Sequence, residues 1–129
     1  MPAALHELSR RLLDAPTYAT LATVNPDGSP QATIVWVRRD GDDVLMSTVV
    51  GRRKERNLRR DPRVSVVFFD PQNPYVYAEI RGRATLSEAG GRELIDELSV
   101  KYRGEPYPAE PEGTVRVVIR VTPDRVIER

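Results

Sequence analysis

Ser47-Thr48-Val49-Val50-Gly51-Arg52-Arg53-Lys54-Glu55-Arg56-Asn57-Leu58-Arg59-Arg60-Asp61-Pro62-Arg63 is the stretch on which the reading of this chain turns. Small and β-branched residues give a strand, Gly51 breaks it, and a short helix crowded with cations follows until Asp61-Pro62 stops it. The charge order of that helix opposes its own dipole. A helix N-terminus carries roughly half a positive charge and disfavours each added cation by about 0.3–1 kcal/mol. Yet Arg52, Arg53 and Lys54 crowd the first turn, and Asp61, also of the wrong sign, stands at the far end. An anion at the N-terminus resolves the conflict, because free backbone N–H groups and nearby cations converge on it. Two readings follow: a phosphate site, or a solvated basic helix, and the charges alone fit both.

Turning the helix at ~100° per residue separates its side chains. Leu58 is the only large apolar residue between Gly51 and Asp61 and marks the buried side. Lys54 lies one turn earlier on nearly the same face, with Asn57 and then Arg53 progressively round the edge, so these three can look into a pocket. Arg52, Arg56, Arg59 and Arg60 fall on the other side, solvated or available to a long acidic ligand tail.

The 129 residues fit one domain. Net charge is +1 from 20 basic and 19 acidic residues, so the overall field gives no case for nucleic acid or a membrane as partner. The absence of cysteine removes disulfides, thiolate metal sites and cysteine nucleophiles. His6, the only histidine, stands in an N-terminal helical segment and cannot build a serine–histidine triad or a multi-histidine metal site alone. No apolar run approaches a membrane span and no signal core opens the chain, so the expected location is cytoplasmic.

Along the chain, Leu5, Leu8, Leu12 and Leu13 give a first helix closed by Pro16 and expected to cap a barrel end. A strand over 18–24, turn residues at 25–30, a strand over 31–37, a turn at 40–42 and a strand over 44–50 read as a three-stranded meander. After the basic helix come a buried strand over 64–69, a two-proline loop and a long strand over 75–86. Ser87 has the look of an N-cap for a helix running to Arg103-Gly104, then a proline-rich loop over 105–113 leads to a last strand over 114–121 with a continuation to Ile127. Many antiparallel strands with short helices indicate a mainly β chain forming a closed or nearly closed barrel.

Three segments carry a family resemblance: Leu21 to Gln31 (LATVNPDGSPQ), Gly51 to Arg63 with its RNLRRDPR run, and Tyr77 to Gly82 (YAEIRG). They resemble the split β-barrel flavin and deazaflavin reductases, the relatives of pyridoxamine 5′-phosphate oxidase, and within them the small branch that uses coenzyme F420. The resemblance spans about Tyr18 to Val126. It implies that Gln31, Ala32, Thr33, Ile34, Val35 and Trp36 lie along the cofactor ring, offering backbone groups to it. It implies further that Ser47, Thr48 and Val49 contact the ring and its side chain, and that Arg53 and Lys54, with Asn57 behind them, hold the phosphate. Such proteins are homodimers with the cofactor at the interface, so Pro74, Tyr75, Val76 and Tyr77 are expected from the other subunit. Flavin mononucleotide (FMN) is the alternative cofactor, since members using either share these motifs.

The implied activity is that of an F420H2-dependent oxidoreductase passing a hydride to an electron-poor small organic substrate. The alternatives are an FMN-binding oxidoreductase and a noncatalytic binding or carrier protein for the cofactor. No side-chain acid stands out; solvent, Tyr75 or Tyr77 are the candidate proton donors. The parent oxidases end in a segment bearing arginine and histidine that grips pyridoxal phosphate. This sequence ends Ile127-Glu128-Arg129 with no histidine beyond His6, so vitamin B6 chemistry is not expected.

Overall fold

The computed structural model describes residues 2–129. Its elements run α1 (Glu7–Asp14), β1 (Ala19–Val24), β2 (Pro30–Val35), β3 (Arg38–Asp40), β4 (Asp43–Val49), α2 (Arg53–Arg60), β5 (Arg63–Asp70), β6 (Asn73–Ser87), α3 (Gly91–Arg103) and β7 (Arg116–Glu128). The strands hydrogen-bond in the order β2-β1-β5-β6-β7-β4-β3, and every pairing is antiparallel.

That order forces the sheet to roll. Six spacings of ~4.8 Å would set β2 and β3 about 29 Å apart if the sheet were flat. Only Trp36 and Val37 join them, and that much chain reaches roughly 11 Å. The outer strands must therefore curl toward each other into a barrel. Alternation does the rest: Leu21, Met46, Val66, Phe68, Ile80, Ile119 and Val121 point inward and are buried. Leu12 and Leu13 of α1 and Leu58 of α2 join the same core.

Closure is incomplete, and this replaces the expected meander. The segment read as one strand over 31–37 bends at Trp36-Val37, so β2 and β4 do not pair. β3 covers β4 only at Asp43–Leu45. Beyond that point β4 has β7 alone as neighbour, and β2 has β1 alone. The barrel is thus split between two open strand edges.

Outside the barrel, the sides differ. The third helix lies over β4 and β7, packing Leu94, Leu98 and Tyr102 on Leu45, Trp36 and Val118. Its start is not capped by Ser87, which stays in β6 because pairing with β7 continues to Ser87–Val118. Gly90, with φ of +79°, makes the turn instead. Gly91 then lies so close to β7 that a Cβ would stand 2.3 Å from the Arg116 carbonyl oxygen. The outer face of β2, β1, β5 and β6 has no such cover: Ile34 is 65% exposed, Phe69 48% and Tyr75 88%.

Candidate functional site

The basic helix begins at the open side of the split. Its N-cap, Arg52, has extended backbone and offers no side-chain cap, so the amides of the first turn depend on a partner from outside the helix. Glu55 turns back to accept the Gly51 N–H at 2.8 Å and also holds Arg59. Burial alone would raise the Glu55 carboxyl, but the Gly51 amide and then Arg59 and Arg56 outweigh it and hold it below the ordinary range. This buried acid at the third helical position fixes the strand-to-helix turn.

Lys54 is half-buried and, among the described residues, has no carboxylate partner. Its ammonium is disfavoured first by burial and then by Arg52 and Arg116, which lowers its pKa. Arg52, Arg53 and Arg56 are exposed and likewise enter no ion pair among the described residues. The C-terminal cations of the helix differ: Arg59 is held by Glu55, and Arg60 reaches Asn57 and the Val24 carbonyl.

Lys54 and Arg52 enter a cleft of about 170 Å³ with Ile34, Val35, Trp36 and Ser47, the residues along the two open edges. Ile95, Leu98, Tyr107 and Arg116 complete its lining. Trp36 stacks on Tyr102 at 5.3 Å and 12°, and meets Tyr107 edge-on at 6.4 Å. Arg116 donates to Ser47 Oγ at 3.3 Å and pairs with Glu110 at 2.7 Å. A neighbouring cleft of about 630 Å³ shares Arg52, Tyr107 and Arg116 and runs out past Val49 and Arg103.

The residues expected from sequence are therefore divided. Ile34, Val35, Trp36, Ser47, Lys54 and, next door, Val49 border the clefts. Ala32 is exposed on the same outer face of β2 as Ile34, whereas Gln31 and Thr33 alternate to the inner face. Thr48 is fully buried, and the Oγ1 atoms of Thr33 and Thr48 have no hydrogen-bond partner among the described residues. Asn57 is buried too, its amide donating to Thr23 Oγ1 and Asn25 Oδ1 at 3.0 Å each, which pins α2 to β1 and its turn. Arg53 is exposed and outside the lining of both clefts. Pro74 and Tyr75 are exposed, with Val76 and Tyr77 half-buried, at the end of the uncovered face.

Arg116, Tyr107, Ile95 and Leu98 had no signal in the sequence, because the loop and helix that carry them return to the site from far along the chain. A separate hollow of about 340 Å³ beside the start of α3 offers no comparable free charge on its sheet side. There Arg38 pairs with Glu97 at 3.2 Å, and Arg120 with Asp40 and Asp43 at 2.9 Å each.

The pyridoxamine 5′-phosphate oxidase model matches residues 5–129. The chain belongs to that family. Among solved structures it is similar to one described as an F420 reductase, with 33% identity, a TM-score of 0.82, and coverage of 92% of this chain and 94% of the other. A conserved hypothetical protein from Mycobacterium tuberculosis shares 24% identity with a TM-score of 0.78, covering 98% of this chain and 85% of that one. General stress protein 26 of Bacillus anthracis shares 18% identity with a TM-score of 0.72, covering 96% and 94%; these last two bear on the fold alone. Membership fits an oxidoreductase of the flavin or deazaflavin type. No helix among the described residues is long and apolar enough to cross a membrane.

The residues present suit such a cofactor. Two open strand edges supply unpaired backbone donors and acceptors for a flat heterocycle, and an uncompensated lysine at a helix start suits a phosphate.

Proposed function

We propose that this protein is a coenzyme F420-dependent reductase. The observation that carries the reading is Lys54, half-buried in a cleft between two open strand edges with cations and no anion around it. The 33% identity to an F420 reductase supports the same choice. Bound there, the reduced deazaflavin supplies a hydride to an electron-poor small organic substrate.

The chain's own work is holding and screening. Lys54, with Arg52 and the first-turn amides of α2, takes the phosphate, and Arg53 lies close enough in sequence to add to that field. The exposed backbone of β2 over 31–35 and of β4 over 47–49 orients the ring, while Ile34, Trp36 and Tyr107 exclude water from one side of it. Arg52, unpaired among the described residues, suits a carboxylate-bearing tail running into the larger cleft. Solvent, Tyr75 and Tyr77 are the candidate proton donors.

Ligand pockets commonly run ~300–1,000 Å³; the inner cleft holds about 170 Å³ and borders the larger cleft of about 630 Å³. Ile34 belongs both to the cleft and to the uncovered apolar face. A second copy laid on that face would wall the cleft, bringing its Pro74, Tyr75, Val76 and Tyr77 to the ring.

Equilibrium binding of cofactor-free protein to coenzyme F420 and to FMN, followed by turnover with the reduced form of the tighter ligand, tests the reading. The deazaflavin should bind more tightly and support hydride transfer, with dimer persisting on dilution. Tighter FMN binding would move the protein to flavin chemistry, and binding without turnover would make it a carrier.

A further inference from the structure

Lys54 and Lys101 are the chain's only lysines, and Lys101 has no place in the site described so far. It stands half-buried in the last turn of α3, where its Nζ donates to the carbonyl oxygens of Leu13 at 2.5 Å and Val37 at 2.6 Å. The next residue, Tyr102, accepts the Val37 N–H at 3.0 Å and donates its own hydroxyl to the Thr17 carbonyl at 2.6 Å. Adjacent side chains of one helix turn thus hold both polar groups of Val37. That residue lies in the two-residue bend joining β2 to β3, and its neighbour Trp36 is the aromatic wall of the cleft.

We propose that Lys101 is a positioning residue: its ammonium, seated between two backbone carbonyls, sets the bend at Trp36-Val37, and loss of its proton loosens the aromatic wall. The pinning itself is independent of what the cleft binds; its effect on ligand affinity rests on the deazaflavin reading.

The charged groups around it are few. Asp14, at the end of α1, favours the ammonium, and Arg38 on β3 opposes it; Asp14 is itself engaged by Arg39 at 3.0 Å. Tyr102 and, across its ring at 5.4 Å, Tyr18 are the phenols nearby. Burial dominates this balance and lowers Lys101 to about 8, whereas burial raises Tyr102. Lys101 is therefore the group at this corner that changes charge in mildly alkaline solution. Deprotonation takes away a positive charge and one N–H donor from the pair of carbonyls that Lys101 bridges.

Trp36 is the only tryptophan, so intrinsic emission reports on this wall directly. Cofactor-free protein should show an emission change centred near pH 8. Lys101→Met should abolish it. Lys101→Arg should abolish it as well, because a guanidinium keeps its proton throughout, and this variant decides the matter if the methionine form does not fold. In parallel, the dissociation constant for coenzyme F420 should rise several-fold more between pH 7 and 9 in the parent than in Lys101→Arg, the rise common to both belonging to Lys54. A parent with no emission step in that range, or a step that survives in Lys101→Arg, overturns the proposal. An emission step lost on substitution, with no deazaflavin bound at any pH, would uphold the pin and overturn only the functional reading.

Discussion

Two sets of cations face the same cleft and are disposed in opposite ways. At the start of α2, Arg52 and Lys54 carry no anion of their own. Across the cleft, Arg116 is 7% exposed and paired with Glu110, which also holds Arg92 at 3.0 Å, and Arg92 in turn pairs with Asp96. Tyr107 lies against both guanidiniums, at 4.9 Å from Arg116 and 5.9 Å from Arg92. The paired set straps the long loop over 105–113 onto α3 and β7. The difference teaches that charge near a site is informative only after its partners are counted: matched cations build the wall, and unmatched ones await a ligand.

Three substitutions can break or sharpen that contrast. Arg116→Ala should act on the fold first, lowering stability by about 1–3 kcal/mol, because it removes a nearly buried guanidinium and leaves the half-buried Glu110 carboxylate with Arg92 alone. Denaturant unfolding measures this. The same variant should flatten the acid limb of stability. Hydrogen bonding from Arg116 holds the Glu110 carboxyl below its ordinary value, against burial, with Arg92 adding to the effect. Its contribution is therefore present above the ordinary carboxylate range and lost as pH falls through the depressed value. A parent and variant with parallel melting profiles from neutral to acid pH would contradict the assignment.

Lys54→Ala should act on binding instead, weakening coenzyme F420 by ~1.5–3 kcal/mol, the scale of a charge-assisted hydrogen bond. The empty protein should melt at the same temperature or slightly higher, since a cation opposed by burial, Arg52 and Arg116 has been removed. Unchanged affinity would sink the phosphate site. The smallest effect is expected from Arg56→Ala, an exposed and unpaired cation outside both clefts, at within about 0.5 kcal/mol for affinity and stability alike. Arg59 is a poorer control, because it is tied to the buried Glu55.

What sequence could reveal follows from range. Local signals worked: the strand of β1, the turn residues after Val24, and the helix that ends at Asp61-Pro62; β5, expected to be buried throughout, instead turns Val67 and Phe69 outward. The family resemblance extended these to the whole barrel. Glu55 escaped notice because a wheel built on apolar residues places no acid inward, although it is 2% exposed. Asn57 lies on the inward side as the wheel suggested, but its amide is spent on Thr23 and Asn25, contacts 34 and 32 residues distant. Ser87 has the chemistry of a cap, and extended pairing with β7 overrode it. Arg116 reads as an ordinary exposed strand position until Glu110, Ser47 and Gly91 are known to surround it.

The strand order also bears on how the protein is made. β7, which completes the sheet between β4 and β6, follows every other element in the chain. Until residues 116–128 have left the ribosome, β4 and β6 lack their shared neighbour, and the hairpins already synthesised have no central strand to join them. Pairings of such long sequence separation form slowly and only as a set. The barrel is accordingly a structure that closes after this strand emerges, and its nascent chain spends synthesis with two unpaired strand edges in need of shelter.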